Sequence, residues 1–183
     1  MELSGYQVVL RDIQAEDLEL IRAWRNDPEV SRFMLSQERI SAEQQQAWFS
    51  KILKDNTQRH WLICYKDKPI GVANIKTVHK GDSIETAKVL EPGLYIADNR
   101  YRGNILAFSP TLLINDYCFE RLGTELLQAR VKADNTAALK YNAKLGYKQL
   151  AKDDLIELCL DYQSYRVASE SIKALLGRTK RSN

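Results

Sequence analysis

The sequence predicts one mixed α/β domain, and three observations carry that reading. Its 183 residues suit a single domain with a sizeable core. β-rich runs and runs of helical periodicity follow one another as strand, two helices, three strands, helix, strand, helix, strands. No linker, repeat or low-complexity tract divides the chain. The expected class is therefore α/β (α+β), with residues 1–183 as one domain. From about residue 169 that domain ends in a short helix and a basic tail.

Residues 6–13 (YQVVLRDI) read as the first strand. Residues 15–27 carry Leu18, Ile21 and Trp24 at helical spacing, and Asp27-Pro28 ends that helix. Residues 40–53 are a second helix, opened by Ser41 and Gln44 at capping-box spacing. Residues 59–67 and 68–78 are β-rich, and the Asp67-Lys68-Pro69 break between them predicts a hairpin. A polar loop spans 79–86. Residues 87–98 form another strand, in which Pro92-Gly93 would spoil a regular central position, so a bulge or splay is expected. Residues 110–123 are helical with Gly123 at the C-terminal end, and 125–133 are a strand. Residues 135–146 are a helix with Asn135 as N-cap and Gly146 past its end. Residues 147–152 and 155–168 read as further strands, and 169–177 as a last short helix.

Hydrophobic residues make up 44% and charged residues 28%, ordinary for a globular chain. A net charge of +3 is too small to argue for a nucleic-acid partner. No apolar run approaches the ~20 residues that span a bilayer. The N-terminal MELSGYQVVLRD lacks the basic-then-apolar order of a signal peptide. Cys64, Cys118 and Cys159 are unclustered and set in apolar surroundings, as reduced core residues of a cytoplasmic protein are. With no CxxC, and His60 and His79 as the histidines, no metal site is expected.

The chemistry begins at NRYRGNIL (99–106), between a strand and a helix. A basic, glycine-containing turn in that place sets backbone N–H groups and the positive end of a helix dipole against phosphate. Gly103 lets the backbone approach a ligand closely. Arg100 and Arg102 add charge. Alone, such a turn is more often an ordinary surface turn. About thirty residues on stands ADNTAALKYNAKLGYK (133–148). Together the two stretches resemble the acyl-CoA-binding signature of the GNAT superfamily of N-acetyltransferases. Arg100, Gly103 and Ile105 carry the first part; Asn135, Ala138, Asn142, Gly146 and Tyr147 carry the second. EPGLYIAD (91–98) resembles the family's splayed fourth strand, and the likeness extends over roughly residues 6–165.

That resemblance implies a single GNAT-like domain, a mixed central sheet with splayed fourth and fifth strands flanked by helices. It implies acetyl-CoA as co-substrate, no metal, and direct transfer of acetyl to a primary amine. The backbone amides of Tyr101, Arg102, Gly103, Asn104 and Ile105 would hold the pyrophosphate, with Arg100 adding charge. The main chain of Leu94, Tyr95 and Ile96 would pair with the pantetheine arm like an added strand. Asn135 would reach the pantetheine while capping its helix. Three departures matter. Ile105 replaces a Gly or Ala, and its branched side chain crowds the diphosphate. Pro110 either follows a Ser109 N-cap at the first helical position or kinks the helix. Asn142 occupies the place of the family's usual Tyr acid, with Tyr141 one residue earlier and turned by ~100°. Asn142 can hydrogen-bond the sulfur but cannot protonate it. Glu91 matches the usual place of a carboxylate base and is equally a solvent-facing strand carboxylate. The candidate catalytic residues are thus Glu91, Tyr141 and Asn142.

WRNDPEVSRFM (24–34) and ISAEQQQAWFSKI (40–52) resemble a GNAT branch that acetylates nucleotide-linked amino sugars, as in pseudaminic acid biosynthesis. Trp24, Arg25, Asn26, Phe33, Met34 and Trp48 carry the match. By that likeness Arg25, Asn26, Phe33 and Met34 line the acceptor pocket, with Arg25 meeting a phosphate. The two tryptophans are better read as core anchors. The enzymes that acetylate ribosomal-protein N-termini are the alternative branch. A catalytically weak acyl-CoA-binding module is a third reading. The expected partner is a small-molecule amine, with no nucleic acid, no membrane and a homodimer left open.

Overall fold

A computed structural model of the chain describes residues 1–32, 34–152 and 154–177. β1 (Leu3–Gly5) and β2 (Val8–Asp12) lead into α1 (Leu18–Asn26), α2 (Pro28–Ser31) and α3 (Ala42–Ile52). There follow β3 (Gln58–Tyr65), β4 (Lys68–Thr77), β5 (Val89–Ile96), α4 (Ser109–Asp116) and β6 (Leu126–Lys132). α5 (Thr136–Lys144), β7 (Lys148–Lys152), β8 (Leu155–Asp161) and α6 (Tyr162–Leu176) complete the order. Among the described residues the strands form one mixed sheet, β1-β2-β3-β4-β5-β6-β8-β7, in which β5 and β6 are parallel and the other neighbours antiparallel.

Local chemistry explains most boundaries. Ser41 caps α3, and both bonds of its capping box with Gln44 are made. Asp27 ends α1 and also opens α2, its side chain accepting from the Glu29 amide at 2.9 Å with Pro28 at the first turn. Asn135 caps α5, accepting from the Ala138 amide at 3.1 Å.

Four expectations change. Residues 6–13 are not one strand. Tyr6 and Gln7 take positive φ of 48° and 71°, forming a two-residue turn between β1 and β2. The Tyr6 hydroxyl donates to Asp116 at 2.6 Å, a bond that holds this left-handed residue in place. The β3–β4 turn is Lys66-Asp67, with φ of 47° and 62°, so Lys68 and Pro69 already belong to β4. Residues 162–168 are helix, not strand. Their aromatic and branched side chains favour strands, but Asp161 accepts from the Ser164 amide and hydroxyl at 2.8 Å each and starts α6. Finally, Pro110 neither follows a Ser109 cap nor breaks the helix. A 3-10 turn, Ile105–Phe108, capped by Asn104, leads directly into α4, and Ser109 is already helical. Pro110 lies in the first turn of α4, where an amide has no intrahelical acceptor to lose.

The sheet separates two apolar layers. On one face Trp61, Ala73, Ile75 and Leu90 pack with Leu112 and Ile114 of α4 and Tyr165 of α6. On the other, Leu62 and Val72 pack with Leu18 and Ile21 of α1, and Trp24, Trp48 and Tyr95 close around them. Both tryptophans thus anchor the second layer. Asp116 pins the first, accepting from Tyr6, Tyr165 and Lys173 at 2.6 Å each.

The splay is real and has a sharp start. β5 follows β4 without a bulge, from Thr77↔Leu90 to Gly71↔Ile96. Its pairing with β6 stops after Val89↔Leu126 and Leu90↔Leu127. From Glu91 onward one edge of β5 has no strand partner, and Pro92 supplies no donor at that step. Because β1 precedes the expected first strand, the splayed pair is the fifth and sixth along the chain.

Candidate active site

A cleft of about 1280 Å³ opens at the splay. One wall is β5, including Glu91, Leu94, Tyr95 and Ile96; the opposite wall is the end of β6 and the start of α5, including Asn135, Tyr141 and Asn142. The free edge of β5 exposes alternate main-chain groups, as an edge strand does.

At the cleft's end lies the turn 99–105. Gly103 has φ +75° and open space around its α-carbon. The Tyr101 and Arg102 amides are already satisfied by the Asp98 and Asn99 carbonyls, at 3.1 and 3.3 Å. The amides of Gly103, Asn104 and Ile105 have no acceptor in the protein. Three consecutive free donors ahead of a helical run form an anion cradle. Arg100 does not line the cleft; its guanidinium is held by Asp98, 2.6 Å away at the closest, while Tyr101 packs edge-on against Tyr65. Arg102 lines the cleft and ties the turn down by donating to Ala97 O at 2.7 Å and Glu29 O at 3.2 Å. Ile105 is 43% exposed, and its side chain does not line the cleft. It borders a second cavity of about 440 Å³ with Asn104, Phe108, Lys140 and Lys144. The lysines, four apart on α5, face the turn, a spacing the sequence carries openly but that went unread.

The catalytic candidates converge unequally. Glu91 is bound by Arg130 of β6 through two bonds of 3.1 Å. Tyr141 and Asn142 both line the cleft, although they are successive on a helix. The Tyr141 hydroxyl donates to Ala107 O at 2.9 Å and also bonds Thr111, and its ring stacks on Phe108 at 4.5 Å. Burial pushes its pKa well above the usual phenol range. Asn142 Nδ2 donates to Ala138 O at 2.9 Å, leaving its carbonyl oxygen free.

The acceptor side is the sheet face beneath α1 and α3. Its registers set Gln58, Lys76 and Glu91 in one row, and His60, Asn74 and Gly93 in the next. Arg25 and Met34 line this half, and Arg25 Nε is buried with no hydrogen-bond partner. Asn26 does not line it. Its amide spans the Ile40 backbone, donating to the carbonyl at 2.9 Å and accepting from the amide at 2.8 Å, so it fixes the loop before α3. Phe33 lies outside the described residues. Arg25, Arg39, Lys51, Lys76 and Lys132 line the cleft without an ion-pair partner, against Glu38 and the neutralised Glu91. The cleft is therefore built for an anion. Among the described residues no three His, Cys, Asp or Glu are placed to hold a metal ion, and no helix is long and apolar enough to cross a membrane.

Comparisons with known proteins agree with this geometry. The family model described as acetyltransferase (GNAT) domain matches residues 7–148. Proteins named acetyltransferase PseH from two strains of Campylobacter jejuni are 28% and 30% identical, each match covering 81% of this chain and 88% of the relative. The crystal structure of Campylobacter jejuni N-acetyltransferase PseH superposes with a TM-score of 0.65 at 20% identity, covering 85% of this chain and 99% of that one. Spermidine N-acetyltransferase from Vibrio cholerae, solved in complex with CoA and spermine, superposes with a TM-score of 0.74 at 17% identity, covering 88% and 99%.

Proposed function

The chain belongs to the GNAT family of acetyltransferases, and on that premise we propose that it transfers acetyl from acetyl-CoA to a primary amine of a nucleotide-linked amino sugar. It is an acetyl-CoA-dependent N-acetyltransferase; the finer reading concerns its acceptor and its residues. The observation that carries that reading is the charge of the cleft. Unpaired Arg25, Arg39, Lys51 and Lys76 surround the acceptor half. Such walls repel a polyamine or an aminoglycoside and attract a diphosphate. An amine that also bears a nucleotide's phosphates meets both demands. The likeness of residues 24–52 to the amino-sugar branch and the PseH relatives point the same way.

The pantetheine arm lies along the free edge of β5, at Leu94, Tyr95 and Ile96, and its pyrophosphate takes the amides of Gly103, Asn104 and Ile105. Asn135 borders the arm. Lys140 and Lys144 face the remaining phosphate. The thioester then sits between β5 and Asn142, whose free carbonyl oxygen faces the site. The amine attacks the thioester carbon from the side of α1 and α3, and the thiolate leaves toward the mouth of the splay. Reduced Cys64 and Cys118, both buried, fit a cytoplasmic setting.

An acetyl-CoA assay that follows free thiol, run with UDP-glucosamine, spermine, kanamycin and a peptide N-terminus, tests this. The highest kcat/KM is expected for UDP-glucosamine. A preference for spermine or the peptide would overturn the acceptor class and leave the transferase intact.

A further inference from the structure

The floor of the acceptor half holds a polar pair with no assigned task. His60 on β3 and Asn74 on β4 are register partners, and Asn74 is the partner of Gly93 on β5. The Asn74 amide stands over Gly93, its nitrogen and oxygen 3.3 and 3.4 Å from where a β-carbon there would be. Neither atom has a protein partner, and both residues line the cleft.

His60 is held in one tautomer. Gln58 donates its amide N–H to the Asp55 carboxylate, which fixes its oxygen toward the imidazole. That oxygen lies 2.8 Å from His60 Nε2. A carbonyl oxygen only accepts, so Nε2 carries the proton. Nδ1 is then the lone-pair nitrogen, and it has no protein partner. Trp48 fixes the ring from the other side, edge-on at 5.2 Å.

We propose that His60 Nδ1 and Asn74 Oδ1 together receive the two N–H bonds of the acceptor's neutral amine and aim its lone pair at the thioester beside β5. This rests on the transferase reading above. The spacing suits the task. Register partners have β-carbons ~4.5–5.5 Å apart. Two acceptors each ~3 Å from one tetrahedral nitrogen stand ~5 Å apart. The Gly93 end of the row leaves the side toward β5 open for the acyl group.

The charges nearby support a neutral amine. Lys76 shares the sheet face, Lys51 and Arg25 line the cleft from α3 and α1, and Glu91 is held by Arg130. Asp55 lies behind Gln58 and is itself held to about 2 by bonds from Thr57 and Gln58. Burial first and Lys76 second push His60 down to about 4, with Asp55 opposing. What keeps the imidazole uncharged also disfavours an ammonium at the same spot. In the step itself the N–C bond forms and the C–S bond breaks. The proton released by nitrogen passes through water to the departing thiolate, so His60 remains neutral throughout.

Three variants of the full chain, His60→Phe, His60→Asn and Gln58→Glu, test this with acetyl-CoA and UDP-glucosamine. His60→Phe should lower kcat/KM for the amine ~10- to 100-fold, the worth of one such bond, with KM for acetyl-CoA unchanged. His60→Asn, which keeps an acceptor near the Nδ1 position, should recover part of that. Gln58→Glu should raise the imidazole pKa and move the acid limb of the kcat/KM profile upward. Nitrogen-15 NMR of the wild-type imidazole should show Nε2–H at pH 7 and an Nδ1 shift on adding UDP-glucosamine. Activity of His60→Phe within twofold of wild type, or a proton on Nδ1, overturns the proposal. Wild-type protein that binds acetyl-CoA but acetylates no amine overturns the transferase reading instead, and the Nδ1 shift then decides whether the amine site stands.

Discussion

Glu91 and Arg130 clasp the opening between β5 and β6, joined by two bonds of 3.1 Å one residue beyond the last paired rung. The pair stands where the sheet parts. It fixes the width of the gap into which an acyl-CoA arm would pass, and it occupies the carboxylate nearest to that gap.

A carboxylate bound on both oxygens by a guanidinium is a poor proton acceptor. Glu91→Gln is therefore expected to lower kcat by less than ~10-fold, against the ~10²–10⁴ typical of a lost general base. Steady-state kinetics across pH would decide. A loss of 10³ with disappearance of the acid limb would make Glu91 the base after all.

Tyr141 is committed to the protein through Ala107 and Thr111. Tyr141→Phe keeps the stacked ring and loses those bonds. It should cost about 1 kcal/mol of stability and leave kcat within a few-fold. Asn142→Ala should lower kcat by ~10-fold by freeing the thioester, with KM for acetyl-CoA little changed. A hundredfold loss in Tyr141→Phe, with the fold intact by circular dichroism, would assign the phenol as the acid.

Lys140 and Lys144 face the cradle turn from the second cavity. The Lys140→Ala, Lys144→Ala double variant should bind CoA ~10-fold more weakly and dephospho-CoA as well as wild type does. Equal losses for both ligands in calorimetry would remove the lysines from phosphate recognition.

His60 also leaves a mark on stability. Its folded pKa of about 4 lies below the usual value of 6.5. The fold thus favours the neutral ring, and the unfolded chain takes up the proton first as pH falls. This stabilisation is full above pH 6.5 and is lost on the way down to about pH 4, amounting to up to about 3 kcal/mol. Urea unfolding of wild type and His60→Phe at pH 7 and pH 4.5 should show a steeper acid loss in wild type. Parallel losses would contradict the buried, neutral imidazole.

The sequence was most informative where local rules and tertiary need agree. The caps at Ser41 and Asn135 and the splay at Pro92-Gly93 could be read because each depends on neighbours along the chain. Residues 162–168 misled because side-chain shape there favours a strand, while the Asp161 cap and the Asp116 network favour a helix. The cradle was placed correctly but too broadly, since only the folded turn reveals that the Tyr101 and Arg102 amides are already used. Ile105 was expected to crowd the diphosphate, and its side chain instead turns to the second cavity. His60, Asn74 and Arg130 were invisible as site residues because register across three or more strands, not spacing along the chain, brings them to the cleft.

The most direct measurement is a crystal structure of the protein with acetyl-CoA. The account predicts the pantetheine arm hydrogen-bonded along the free edge of β5 at Leu94–Ile96, the pyrophosphate on the amides of Gly103, Asn104 and Ile105, and the thioester within reach of Asn142. Density for the cofactor elsewhere, or crystals that take up none at millimolar acetyl-CoA, would contradict it.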